Sequence, residues 1–173
     1  MSLIRPLKNS TPFDLCAIIL ASGKGSRFGI PKSEARMNGM LFSEHIIQTI
    51  NDAGIKRIAL ANAYQTNSML ETLRQAVTEN PATHYLIFPV DHPFVSSQTI
   101  QNLIDGIIPN AIIKPVHQNV SGHPIIIPAS LDINTKDHGE GLKGIIRLSG
   151  LPNKYIHVDD PGILRNINRP GDL

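Results

Sequence analysis

The 173-residue chain has one cysteine, Cys16, so no internal disulfide can form. That residue lies in an apolar run and reads as a small buried hydrophobe. Seven histidines are present, but no H-E-x-x-H or C-x-x-C spacing, which excludes the common zinc sites. No apolar stretch approaches the length that crosses a bilayer. Residues 1–14 also lack the apolar centre of a signal peptide, so a cytoplasmic location without a membrane partner is expected. Net charge is only +2 and the basic residues are scattered. Without a stripe of Lys and Arg interleaved with aromatics, nucleic acid is not an expected partner. Internal repeats, low-complexity tracts and linkers are absent. A composition of 41% hydrophobic and 17% charged residues excludes a disordered chain and suits one domain with a substantial core.

The hydrophobic pattern alternates between strand and helix. Residues 1–14 carry two prolines and little periodicity, and are expected to form an N-terminal extension to a domain over 15–173. Leu15 to Ala21 reads as a first strand. Ser43 is placed to cap a helix to about Ala53, with Ile46, Ile47 and Ile50 on one face and Gly54 at its end. Ile55 to Ala61 is a second strand. Asn67 or Ser68 opens a helix with Leu70, Leu73 and Val77 inward, stopped by Asn80-Pro81. Tyr85 to Val90 has the continuous apolar character of a central parallel strand. Ser96 or Ser97 caps a helix to about Asp105, and Ala111 to Lys114 is a fourth strand. Ile125 to Ile127, bracketed by Pro124 and Pro128, is expected as a short strand or an edge. A helix near Leu142 to Leu148 follows, then extended pieces at Tyr155–Val158 and Ile163–Ile167. This order implies an α/β fold with a mainly parallel sheet.

The first strand runs into Ala21-Ser22-Gly23-Lys24-Gly25-Ser26-Arg27-Phe28-Gly29-Ile30-Pro31-Lys32. Glycines allow backbone N–H groups to approach phosphate oxygens closely. Arg27 and Lys32 add two fixed positive charges. Two commoner phosphate loops are excluded by spacing. A Walker loop would place Gly before the lysine, and here Pro31 stands there. A dinucleotide fingerprint would place Gly at Phe28. The pattern G-x-G-[ST]-R-[FM]-x-x-P-K resembles instead the signature loop of nucleotidyltransferases that activate sugars, alcohols and pterins.

In parallel sheets ligands bind beyond the carboxyl ends of the strands. The 22–32 loop leaves the first strand at that edge, and Val90-Asp91-His92-Pro93 leaves the third. Asp91 alone would read as a turn or capping aspartate. Facing a polyphosphate loop, its carboxylate suits Mg²⁺. If the attacking group is a phosphate it is already an anion. The task is then positioning and charge neutralisation, and no general base is required. That fits Arg27, Lys32 and Asp91 as the catalytic set without a histidine triad. His92 precedes a proline and reads as a turn former. His123, in Ser121-Gly122-His123-Pro124, reads equally as a turn histidine or as an acceptor contact.

These motifs together resemble the molybdenum cofactor cytidylyltransferases and their guanylyltransferase relatives over most of residues 16–172. The resemblance rests on Leu20 through Lys32 and on Met37-Asn38-Gly39-Met40-Leu41-Phe42-Ser43-Glu44-His45. It also rests on Pro89-Val90-Asp91-His92-Pro93-Phe94-Val95, Ser121-Gly122-His123-Pro124-Ile125 and Gly139-Glu140-Gly141-Leu142-Lys143. It implies a single Rossmann-like three-layer α/β domain of nucleotidyltransferase type over 15–173. The implied activity is Mg²⁺-dependent transfer of a nucleoside monophosphate, from CTP in the cytidylyl branch, to the phosphate of molybdopterin with release of pyrophosphate. By position, Leu20, Ala21, Ser22, Gly23, Gly25, Ser26, Arg27 and Lys32 would hold the nucleotide. Gly122, His123 and Pro124 would border the acceptor, and Asp91 and Asn168 would hold the metal. A small phosphorylated acceptor and contact with a molybdoenzyme or chaperone are the implied partners.

The sequence departs from this pattern in places. Asn166-Ile167-Asn168-Arg169-Pro170-Gly171-Asp172 carries amides where the family has D-I-D. An amide oxygen ligates Mg²⁺ without the negative charge. Lys143 replaces an arginine, and the second strand runs almost directly into Asn62-Ala63-Tyr64-Gln65, as though a βα unit were shortened. Two other readings therefore stand beside the first. One is transfer to a sugar phosphate or other small phosphate. The other is a nucleotide- or pterin-binding protein that no longer catalyses.

Overall fold

A computed structural model describes residues 13–21, 34–61 and 68–172. Nine strands and four α-helices occur among them. They are β1 Leu15–Leu20, β2 Arg36–Met37, β3 Met40–Leu41, α1 Phe42–Asp52, β4 Arg57–Ala61, α2 Met69–Glu79 and β5 His84–Pro89. After these come α3 Ser97–Asp105, β6 Ile112–His117, β7 Val120–Ser121, β8 Ile125–Pro128, α4 Gly141–Ser149 and β9 Asn153–His157. The main sheet has seven strands in the order β4-β1-β5-β8-β6-β7, with β9 also paired to β6; β2 and β3 form a separate hairpin. β4, β1 and β5 pair in parallel, as do β6 and β9, whereas β8 runs antiparallel to β5 and β6. The fold is thus α/β with a mostly parallel central sheet.

Strand alternation sends successive residues to opposite faces, and each face acquires its own core. Ile19, Leu86 and Phe88 pack with Ile46 and Ile50 of α1 and Ile100 and Leu103 of α3. Ile18, Ile87 and Ile125 pack with Leu70 and Leu73 of α2 and Ile145 of α4. The result is three layers. Cys16 is 1% exposed, and burial pushes its thiol pKa up, as expected for a packing residue. None of the described helices is long and apolar enough to cross a membrane.

Several expected boundaries move. The isoleucine run is a strand but not an edge: β8 lies between β5 and β6 and is buried throughout. Its flanking prolines bound it instead of marking solvent. β6 continues through Pro115 to His117, because the Pro115 carbonyl still accepts from the Gly122 N–H. Ser43 does not cap α1. The cap is Leu41, whose N–H donates to Glu44 at 2.8 Å, and Ser43 is buried in the first turn. Ser68 and Ser96 do cap α2 and α3, accepting from the N–H groups of Glu71 and Thr99. Pro161–Leu164 is a 3₁₀ turn, so the piece expected as extended from Ile163 begins inside a helix-like turn. Asp14 joins the sheet: its carbonyl accepts from the Thr83 and His84 N–H groups.

Candidate active site

The carboxyl rim of the sheet is level across three strands. Ala21 N–H donates to the Ala61 carbonyl and Val90 N–H to the Leu20 carbonyl, each at 3.0 Å. Leu20 and Ala21 are both buried. Ser22, Gly23, Gly25, Ser26, Arg27 and Lys32 lie outside the described residues, as do Asn62–Gln65.

A cavity of about 560 Å³ opens at this rim on the α2/α4 side. Leu20, Asp91, Gly122, His123 and Asn166 line it, together with Glu140, Gly141 and Leu142 at the start of α4. The structure therefore gathers groups from five separate parts of the sequence. Asp91 stands just beyond β5. Its carboxylate accepts from His92 Nδ1 at 2.8 Å. A carboxylate partner requires Nδ1 to carry the proton, so His92 positions Asp91 besides shaping the turn. His92 is itself buried, with its ring edge-on to His123 at 5.1 Å. The Asp91 carbonyl accepts from Ile167 N–H at 2.8 Å, which brings the Asn166–Asn168 segment against the acidic turn. Asn166 reaches the cavity; Asn168 is half-buried beside it, with its N–H on the Asp172 carboxylate.

On the opposite wall, Gly122 is required by close approach. A Cβ there would collide with the backbone of Ile163, while His123 N–H donates to that residue's carbonyl at 3.0 Å. Pro124 is buried and follows a cis bond. His123 Nδ1 is buried without a hydrogen-bond partner. Burial, with help from His92 and Lys114 and against Asp91, lowers its pKa to about 4, so the ring is neutral near pH 7.

Two features had little sequence signal. Asp160 is buried and takes four donors. Its carboxylate accepts from Ser96 N–H at 2.9 Å, Ser96 hydroxyl at 3.0 Å, Thr99 hydroxyl at 2.6 Å and Gly162 N–H at 2.9 Å. Burial raises its pKa, but these hydrogen bonds outweigh it and the net shift is downward. Asp160 thereby ties α3 to the turn on which Gly122 and His123 rest. The second is the pairing of Glu140, an acid of the Gly139–Lys143 motif that lines the cavity, with Arg147 two turns further along α4. Both depend on partners far apart in sequence or on a helix phase that composition does not reveal.

Residues 17–153 match the MobA-like NTP transferase domain. The chain belongs to that family. A MobA-like NTP transferase is a nucleotidyltransferase, and the solved structures of similar fold agree. A nucleotidyl transferase from Methanothermobacter superposes with a TM-score of 0.75 at 17% identity, over 92% of this chain and 94% of that one. For the 2-C-methyl-D-erythritol 4-phosphate cytidylyltransferase of Thermus thermophilus the values are 0.68, 13%, 92% and 95%. A Mycobacterium tuberculosis protein in complex with manganese gives 0.66, 18%, 84% and 88%. At such identities the likeness carries the fold. No curated protein sequence matches the chain.

For this NTP transferase the donor set at the rim is hard and oxygen-rich. No cluster of three or more His, Cys, Asp or Glu suited to a metal ion occurs among the described residues. Asp91 and Asn166 at the cavity offer one carboxylate and a neutral amide oxygen. That set fits a hard divalent cation whose remaining ligands are phosphate oxygens and water.

Proposed function

We propose that this NTP transferase moves the cytidylyl group of CTP onto the phosphate of molybdopterin, with Mg²⁺ and release of pyrophosphate. The observation that carries the reading is the joining of Asp91 with Gly122 and His123 in one cavity at the end of β1. The signature loop leaves β1 at that point. In this reading Gly23, Gly25 and Ser26 cradle the triphosphate through backbone N–H groups, and Arg27 and Lys32 offset its charge. Asp91 and Asn168 would hold Mg²⁺, which supplies charge neutralisation as pyrophosphate departs. His92 keeps the Asp91 carboxylate in one orientation. Gly122, His123 and Pro124 border the acceptor, whose phosphate attacks the α-phosphorus while the bond to pyrophosphate breaks. A neutral His123 leaves that anion nucleophilic, since it does not hold it in a tight ion pair.

A small phosphorylated alcohol is the second acceptor reading, favoured by the fold likeness to the Thermus cytidylyltransferase. Pyrophosphate release is the deciding assay, run with each nucleoside triphosphate in the presence and absence of molybdopterin. Release with CTP that depends on molybdopterin is expected. Equal release with all triphosphates, or release only with another phosphorylated acceptor, would overturn the assignment. Stoichiometric nucleotide binding without release would identify a non-catalytic binding protein.

A further inference from the structure

The chain from Asp160 to Ile167 runs alongside the acidic turn and the start of α3, in the opposite direction. The Asp160 carboxylate holds Ser96 and Thr99. Gly162 then packs so closely on Phe94 that a Cβ would lie 2.3 Å from its carbonyl oxygen. The Arg165 guanidinium covers the Phe94 ring, 3.9 Å from its centre. Last, the Ile167 N–H donates to the Asp91 carbonyl at 2.8 Å. The Gly162 and Ile167 contacts meet backbone atoms. Arg165 and Phe94 meet through their side chains alone.

Arg165 has extended backbone, with φ −92° and ψ 99°. Successive side chains in extended chain point to opposite sides. Leu164 and Asn166 accordingly line the cavity, and Arg165 between them does not. Ile167 is buried in the core on the α1/α3 side, against which Phe94 also packs. Arg165 and Ile167 thus anchor the chain on the side away from the cavity, and Asn166 between them faces Asp91. The far end of the segment is tied to the same guanidinium. A terminal nitrogen of Arg165 donates to the Asp172 carbonyl at 3.0 Å. The Asp172 carboxylate in turn accepts from the Asn168 and Arg169 N–H groups at 2.8 and 2.9 Å. Arg165 is exposed, and a cation–π contact in water adds little to the stability of a whole fold. Its effect is therefore local.

We propose that Arg165 is a positioning residue. Resting on Phe94, it holds the Asn166–Asn168 segment so that an amide oxygen of that segment and the Asp91 carboxylate face one divalent cation. The cation rests on the transfer reading; the clamp rests on the contacts alone. As a charge, the guanidinium opposes a nearby cation. Clamp and bystander charge therefore differ in sign. Removing a bystander charge strengthens cation binding, whereas removing a clamp weakens it.

Hydrogen exchange at the Ile167 amide reads the clamp without any ligand. Arg165→Met and Phe94→Leu should each speed it about threefold, with the double variant no faster than either and Arg165→Lys recovering part of the protection. The Val90 amide, bonded to Leu20, should not change. Wild-type exchange at Ile167 in Arg165→Met, or fully additive effects in the double variant, would overturn the clamp. Mn²⁺ alone, titrated into the intact protein and followed by electron paramagnetic resonance, reads the site. Arg165→Met should raise the Mn²⁺ Kd about threefold at an unchanged urea midpoint. An unchanged or lower Kd refutes positioning, and so does a rise that comes with an equal loss of stability. In the transfer assay the same variant should need more Mg²⁺ for half-maximal rate and regain the wild-type kcat at saturation. Weakened Mn²⁺ binding in a protein that releases no pyrophosphate with any substrate pair upholds the clamp and overturns the transfer reading.

Discussion

Replacing His123 by asparagine should make the protein markedly more tolerant of acid. In the unfolded chain a histidine titrates near 6.5. In the fold, burial beside His92 and Lys114 brings His123 down to about 4. A folded pKa below the unfolded one means that the unfolded state binds the proton first. Stability is therefore intact above about pH 6.5 and falls as pH drops from there toward 4. Linkage over that window gives a loss of about 2 kcal/mol at pH 5, and almost none at pH 7.5. With a urea slope of about 2 kcal/mol per molar, the wild-type midpoint should drop by about 1 M between pH 7.5 and pH 5 from this residue. The asparagine of the variant keeps a polar side chain in the turn and cannot titrate. His84 is also buried with its pKa lowered, and it contributes a loss of the same sign to both proteins. The difference between them isolates position 123. Urea melts of wild type and His123→Asn at half-unit pH steps measure it. Parallel midpoint curves would refute the claim that His123 is held neutral by its surroundings.

Arg27→Ala and Lys32→Ala should each remove about 2–4 kcal/mol of transition-state stabilisation with little change in melting temperature. Normal kcat/KM for the triphosphate in either variant would sink the phosphate-cradle assignment. Asp91→Asn should raise the Mg²⁺ requirement more than Asn168→Ala does, because Asp91 supplies the charge in the proposed pair. Activity titrated against Mg²⁺ in both variants decides it, with equal or reversed effects placing the metal elsewhere. Asp160→Asn should cost about 2–3 kcal/mol near neutral pH, since one of its acceptor oxygens becomes an amide donor among buried donors. The deficit should narrow as pH falls below the unfolded aspartate's value of about 3.9, because the unfolded wild-type chain takes up the proton before the folded carboxylate, held low by its hydrogen bonds, does. A denaturation series at pH 7 and pH 3.5 reads both effects, and a deficit independent of pH would count against a charged Asp160.

Much of the scaffold is legible in the sequence because its signals are local. The apolar runs at Leu15–Leu20 and His84–Pro89 are long enough to mark central strands. The pairs Asn67-Ser68 and Ser96-Ser97 announce helices through their side chains, and the structure selects Ser68 and Ser96. The position of β8 is not legible. Prolines at both ends of Ile125–Ile127 look the same whether the strand is at an edge or fits a short slot between two others. Only pairing across about forty residues to β5 decides that. At the site, Asp91 follows from its place after an apolar strand, and Gly122 with His123 from the motif. His92 reads as a turn former alone because its hydrogen bond to Asp91 needs a rotamer, not a spacing. Arg165 carries no signal for a similar reason. Its contact with Phe94 depends on how the chain returns to the acidic turn, which no local pattern records.

The reversed strand β8 also imposes a return journey on the chain. β8 begins at the cavity rim and ends at the opposite rim, where Ala129 N–H meets the Thr83 carbonyl. The next helix starts back at the cavity with Glu140 and Gly141. Residues 129–140 must climb the full height of the sheet without a strand or α-helix of their own. Arg74 of α2 clasps this strap at midcourse, donating from Nε to the Ile133 carbonyl at 2.7 Å and from its terminal nitrogen to that of Thr135 at 3.0 Å. One guanidinium thus acts as a buckle. From within, the strap is held by buried Leu131 and Ile133, and its end is tied to α4 by the Gly141 N–H on the Asp137 carboxylate at 2.7 Å.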